Sequence, residues 1–435
     1  MPRQSGQIFG DRDENNDVIA NVTNSSLHVT DGGTPLAVAM GDSASLDAFS
    51  RQRVSQPVTI FDSILKYDKR DDLWYEQLTG GATSVHSFDN ASILATVTTS
   101  GDKVVRQSRL WTRYQPGKSQ LTLMTFNMQA SGDTTNVRRR VGHFNEDNGI
   151  FLELTSTGLR WTLRSNTSGT PVNNEIEQAD WNLDQLDGTG PSGITLDITK
   201  THILVIDLQW LGVGRVRVGF DIDGVIQYCH EFLHANFETT VYMTTAQLPL
   251  RYELEATGVP TGPSTMRIIC TMVSSEGGVQ LQLGVPHAAV SGAPASISGT
   301  LVPLMSIRPK ATFQGEVNRI QTIQRSLQVV NTGSGTAEIH LIWDGVLTGA
   351  AFASAAADST MEFDTAATAV TGGHHVQIFY VAASNQTSAA IEAAIVGGLT
   401  LSNDIDGLNA TPLTVAITNH GTVTAAAAMS WQEYL

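Results

Sequence analysis

Alternation of apolar and polar residues with a period of two, broken at short intervals by Gly, Asp and Asn, constrains this chain more than any other feature. Residues 203–210 read ILVIDLQW and residues 215–222 read RVRVGFDI, after which Asp223-Gly224 leads into VIQYCHEF. Strand side chains point to opposite faces in turn, so this pattern buries one face and wets the other. An Asp-Gly pair between two such runs marks a tight hairpin. Several runs of this kind with few helical stretches predict a two-sheet sandwich or jelly roll. Only 16% of the residues are charged, and the abundance of Thr, Ser, Ala, Gly and Val suits sheets joined by many turns. The expected fold class is all-β.

The 435 residues suffice for two cores and an arm. Residues 1–58 are hydrophilic, with only short apolar patches, and read as an extended N-terminal arm that a partner or another copy holds. Residues 59–290 carry the period-two pattern and predict the large jelly-roll-like sandwich, in which DGTGPSG at 187–193 is a loop. The Gly/Ala/Ser/Pro stretch at 291–299 reads as a linker to a smaller C-terminal sandwich, residues 300–435. There the expected strands include LQVVN, AEIHLIW, HHVQIFYVA, LTVAITNHG and a final MSWQEYL. One short helix is expected at 388–395, where SAAIEAAI has helical spacing and Gly397-Gly398 supplies a stop.

Charge narrows the partners. The formal net charge is −16, and from Ser326 to Leu435 there are nine acidic residues and no Lys or Arg. Nucleic-acid binders need clustered cations to displace counterions, so nucleic acid is not an expected partner. Arg138-Arg139-Arg140 is the one compact basic cluster, read as a solvated face or a contact with an acidic neighbour. No run reaches the roughly 18 apolar residues of a membrane span, and the polar start has no apolar signal core. Synthesis in a cytoplasm without export by a signal peptide is expected, and the Asn-x-Ser/Thr matches carry no weight. Cys229 and Cys270 are too few for a disulfide scaffold and read as buried free thiols.

Few residues suggest chemistry. His230-Glu231-Phe232-Leu233-His234 matches the H-E-x-x-H zinc pattern, with Glu253 or Glu255 at a distance suited to a third ligand. That chemistry requires a helix, which places positions i and i+4 on one face so that both imidazoles reach one ion. On a strand, four residues separate the two His by about 13 Å. Because VIQYCHEF follows a hairpin turn and is rich in β-branched and aromatic residues, a strand is expected and no metal site is assigned. Asp221-Ile222-Asp223-Gly224 lacks the further donors of a calcium loop and reads as a turn. Gly212-Val213-Gly214 likewise reads as a turn between strands. Glu253 and Glu255 share a strand face, but paired catalysis needs a carboxylate opposite, and none is identifiable. No catalytic residue and no cofactor is expected.

Three stretches carry a resemblance: residues 47–67 (DAFSRQRVSQPVTIFDSILKY), 106–124 (RQSRLWTRYQPGKSQLTLM) and 180–252, which contains DWNLDQLDGTGPSGITLD and IDLQWLGVGRVRVGF. Their order and wording resemble a widespread virion structural protein of tailed bacteriophages. The resemblance implies a particle component, such as a capsid decoration, head fibre or tail-associated subunit, with no agreed catalytic residues. It further implies contacts with other virion proteins, here through residues 1–58, and a homo-oligomer, for which a trimer suits a fibre. The main domain is also similar to a concanavalin- or laminin-G-like jelly roll. An alternative reading is a receptor- or glycan-binding module, with Trp111 or Trp181 stacking on host-surface sugars. A third is a zinc hydrolase through His230, His234 and Glu253.

Overall fold

The computed structural model describes residues 57–132, 134–279, 284–390 and 400–435, together with a short ladder between Thr30–Asp31 and Thr34–Pro35. Apart from that ladder and Pro57-Val58, the expected arm lies outside the described residues. The chain divides into two compact units, Met1–Val54 and Ser55–Leu435, and both sandwiches belong to the second.

The all-β reading holds. In the large sandwich, sheet A has seven strands in the order Val172–Glu177, Gly158–Ser165, Gly149–Thr155, Val137–Phe144, Leu248–Ala256, Lys103–Thr112 and Trp74–Thr79. Sheet B has eight: Val225–Phe232, Val216–Ile222, His202–Leu208, Gln120–Ser131, Ser264–Ser275, Ser92–Val97 and Thr83–Ser87, with Val58–Ser63 pairing beside Ser264–Ser275. Alternation decides what lies between the sheets. Val141, Leu152, Trp161 and Leu254 of sheet A meet Phe126, Leu204, Val218 and Phe220 of sheet B in one buried cluster. Each such side chain contributes roughly 1.5–3 kcal/mol through burial.

The Asp223-Gly224 hairpin forms as expected. Asp223 (φ 55°) and Gly224 (φ 82°) both take the left-handed backbone, and Asp221 Oδ1 accepts the Gly224 N–H at 2.9 Å. A bulge between Val218 and Gly219 then shifts the register, so that adjacent Cys229 and His230 are both buried. Gly219 is required there, because a Cβ would lie 2.0 Å from the Gln227 carbonyl oxygen. Both cysteines are free, but only Cys229 is fully buried and Cys270 is half-buried.

The second sandwich begins earlier than the sequence suggests. Val285–Val290 and Ala295–Ile297 both pair with Val423–Tyr434, so the first belongs to the small sandwich and the supposed linker contains a strand. Composition misleads here because ladder pairing uses backbone groups, which Ala, Ser and Gly possess as fully as Val. The expected helix at 388–395 is also corrected. Ser388, Ala389 and Ala390 end the strand Asn385–Ala390, which pairs with Gln321–Asn331, and residues 391–399 lie outside the described residues. Local helical spacing yields to the ladder bonds that a neighbouring strand offers. Among the described residues, no helix is long and apolar enough to cross a membrane.

Arg319 fastens the two sandwiches. Its guanidinium donates to the carbonyls of Asn403 (3.1 Å), Asp404 (2.6 Å) and Ile405 (2.7 Å) and lies 4.7 Å over the Trp111 ring. Beside it, Tyr75 meets Ser402 and Thr411, and Arg109 lies between Tyr75 and Trp343. Arg319→Ala is expected to cost about 2 kcal/mol, as loss of charge-assisted bonds to partly buried carbonyls does. Faster hydrogen exchange at residues 403–405 would check it, whereas unchanged exchange would mean that the seam does not depend on this side chain.

Candidate functional site

Two places gather polar side chains. The first is the outer face of sheet A, where Glu177, Arg160, Glu153, Arg140 and Glu253 lie directly opposite one another on five successive strands, with charge alternating across the sheet. Arg140 reaches Glu153 at 2.5 Å and Glu253 at 3.2 Å, and Arg251 reaches Glu253 at 2.5 Å. Glu153, Glu253, Arg140 and Arg251 are all buried. Burial pushes the Glu253 carboxyl up, but Arg251, Lys103 and Arg140 outweigh it and hold it down to about 2. Arg140 and Arg160 likewise hold Glu153 below the usual carboxylate range against its burial. Such carboxylates are acceptors locked in ion pairs, with no proton to give near neutral pH. The Arg138-Arg139-Arg140 cluster therefore finds its acidic neighbours within the chain: Glu255 faces Arg138, Glu253 faces Arg140, and Arg139 points inward to the Thr265 carbonyl.

The second place is a cleft of about 760 Å³ at the mouth of the sandwich, between the edge strands Val172–Glu177 and Val225–Phe232. The stretch DWNLDQ contributes Asn182 to the lining and braces the strand behind it. Leu183 and Asp184 donate to the Cys229 carbonyl, and the Asn182 side chain clasps both backbone groups of Glu231. Asp184 accepts from the backbone of Leu186 and Ser192 and so shapes the expected 187–193 loop. Across the cleft the chain leaves its strand and turns. Phe237 and Glu238 both donate to the His234 carbonyl, Asn236 takes a left-handed φ of 69°, and Phe237 is left 74% exposed.

Both histidines of the H-E-x-x-H match line this cleft. His230 lies on the strand Val225–Phe232, as expected, and its Nδ1 accepts the Asn182 N–H at 3.2 Å. His234 follows the strand, contacts the Gly214 carbonyl through Nδ1 at 2.9 Å and stacks on Tyr242 with ring centroids 3.7 Å apart. Burial pushes His230 down to about 4 and His234 below its ordinary value, so both are neutral near pH 7. Glu253, the third residue of the zinc reading, does not line the cleft but sits in the ladder on sheet A. Among the described residues no group of three or more His, Cys, Asp or Glu is placed to hold a metal ion.

The tryptophans suggested for sugar stacking are elsewhere. Trp111 is buried in the seam under Arg319, and Trp181 is buried against Phe220, its indole N–H donating to the Ile176 carbonyl. An apolar ring flanked by strand residues is worth most in a core, and neither ring presents a face to the cleft. Sequence reasoning missed Phe237 and Tyr242. Their signal was the run NFETTVY, where alternation lapses just after a strand while aromatic residues persist.

No protein-family profile matches the chain, and no curated protein matches it. Solved structures resemble about half of the chain at low identity. The Emp47p carbohydrate recognition domain is 10% identical with a TM-score of 0.35, covering 52% of this chain and 98% of that one. A legume lectin-like domain from Entamoeba histolytica is 9% identical with a TM-score of 0.30, covering 50% and 97%. A glycosyl hydrolase family protein from Mycobacterium fortuitum is 11% identical with a TM-score of 0.33, covering 50% and 99%.

Proposed function

We propose that the large sandwich is a non-enzymatic glycan-binding module whose site is the cleft between its two sheet edges. The carrying observation is the lining itself. It combines exposed Phe237 and the His234–Tyr242 stack with hydroxyl and amide side chains at Ser165, Thr167, Ser168, Asn173, Asn174 and Thr240. Sugars present apolar ring faces and a rim of hydroxyls, and a pocket with aromatic surface and a few polar groups suits both. Against catalysis by the sheet carboxylates, Glu153 and Glu253 do not line the cleft and are occupied by arginines on the face of sheet A.

Phe237→Ala is expected to weaken binding at least tenfold on a glycan array followed by calorimetric titration. Its thermal midpoint should stay unchanged, because the side chain is 74% exposed. Binding that ignores this substitution would move the site elsewhere.

A second reading places this module on a tailed-phage particle, where residues 1–58 contact other virion proteins. It is favoured by the wording of residues 47–67, 106–124 and 180–252. Mass spectrometry and antibody labelling of purified particles test it, since a virion protein is present at fixed copy number and deletion of residues 1–58 should abolish its incorporation.

A further inference from the structure

From the hydrogen bonds behind the two cleft histidines we infer the ligand class: an uncharged sugar, a neutral hexose or N-acetylhexosamine, rather than a sialylated or sulfated one. The inference rests on the cleft being the glycan site. A backbone carbonyl can only accept, so His234 carries its proton on Nδ1, facing the Gly214 oxygen, and its Nε2 is a bare lone pair. A backbone N–H can only donate, so His230 Nδ1, facing the Asn182 amide, is bare and its Nε2 carries the proton. The two rings, both among the residues that line the cleft, thus carry one acceptor and one donor at Nε2. A hydroxyl pair satisfies both, because each hydroxyl donates and accepts. A carboxylate or sulfate accepts only and leaves His234 Nε2 opposed to a lone pair.

Charge points the same way. The lining includes Glu231 and Glu238 and, among the described residues, no Lys or Arg. Arg215 approaches Glu231 at 3.5 Å but does not line this cleft. Glu238 stands beside His234, where its negative charge acts on the imidazole. An anionic sugar entering here meets the Glu238 carboxylate, which has no cation paired with it among the described residues, whereas a neutral sugar can use the same oxygens as acceptors for its hydroxyls. Selectivity arises as much from this repulsion as from the new contacts.

The test is an array of matched glycan pairs that differ only in a terminal sialic acid or sulfate, probed with the full chain at pH 7.5. Neutral members are expected to bind at least tenfold more tightly than their charged counterparts. His234→Phe keeps a flat ring against Tyr242 but removes the acceptor, and should cost about tenfold on neutral glycans. Glu238→Lys should narrow the gap between the members of each pair. A preference for charged members would overturn the assignment of ligand class while leaving glycan binding intact. Failure to bind any glycan would overturn both. A His234→Phe protein that is folded, as judged by an unchanged thermal midpoint, and binds normally would remove the tautomer argument.

Discussion

Glu253→Ala is expected to destabilise the protein by about 3–5 kcal/mol, because it leaves buried Arg140 and Arg251 facing each other without their shared carboxylate. The neighbouring Glu255→Ala is the control. Glu255 pairs with Arg138 on the same face, but both side chains keep about a quarter of their exposure or more (25% and 30%), so its loss should cost less than about 1 kcal/mol. Urea unfolding of the two variants measures the contrast. Equal costs would show that the ladder is solvated and that burial does not govern it. The same pair of variants bears on chemistry. Glycan binding by Glu255→Ala should be normal, since neither carboxylate lines the cleft.

Acid should weaken the fold well above the range in which carboxylates titrate. His143 is fully buried, with Nε2 2.7 Å from Thr112 Oγ1 and 2.8 Å from the Leu248 carbonyl, while its Nδ1 has no partner. Burial pushes this imidazole down to about 4 from an ordinary 6.5. Between those values the unfolded chain binds more protons than the folded one, so stability is complete above about pH 6.5 and falls as pH drops toward 4. A shift of this size corresponds to roughly 3 kcal/mol, and His230, also pushed down to about 4, adds in the same window. His143→Gln can keep an N–H donor near the Leu248 carbonyl without titrating, and should flatten the decline. Thermal midpoints taken every half unit from pH 7.5 to 4.5 would show this, and identical slopes for the two proteins would remove His143 as the cause. Carboxylates act lower. Asp102 accepts backbone N–H groups from Thr98, Thr99 and Gly81, which hold it well below 3.8, so its contribution is lost only as pH falls below that value.

What the sequence could say follows from how local each cause is. Alternation and Asp-Gly are local, so the strands around residues 203–232 and their hairpin were legible, and with them the strand through His230 that undoes the zinc geometry. Pairing across the chain is not local. Arg138-Arg139-Arg140 could be read as a solvated face or as a contact with an acidic neighbour, but nothing nearby in sequence shows that the neighbours are Glu153 and Glu253 opposite Arg140. For the same reason residues 291–299 looked like a linker, although Ala295–Ile297 has a strand waiting far downstream. The two histidines of the H-E-x-x-H match do border one cleft, each hydrogen-bonded through Nδ1 to a backbone group. Trp111 and Trp181 were chosen for their chemistry, and only the packed structure reveals that both rings are spent on the seam and the core.

The strand Val423–Tyr434 is the hub of its sheet, pairing with Val285–Val290, Ala295–Ile297 and Gln321–Asn331. On a ribosome it is made after all three. Until it emerges, Val285–Val290 and Ala295–Ile297 lack the strand they pair with and Gln321–Asn331 has Asn385–Ala390 on one side only, so each presents an open edge to which a neighbouring nascent chain could add. The large sandwich meets no such delay, because its last strand, Ser264–Ser275, precedes every strand of the small one. Synthesis therefore passes through a stage with one finished sandwich trailing a sticky, unpaired tail. Slow translation or dense polysomes should hurt yield through that tail and not through the cleft-bearing half.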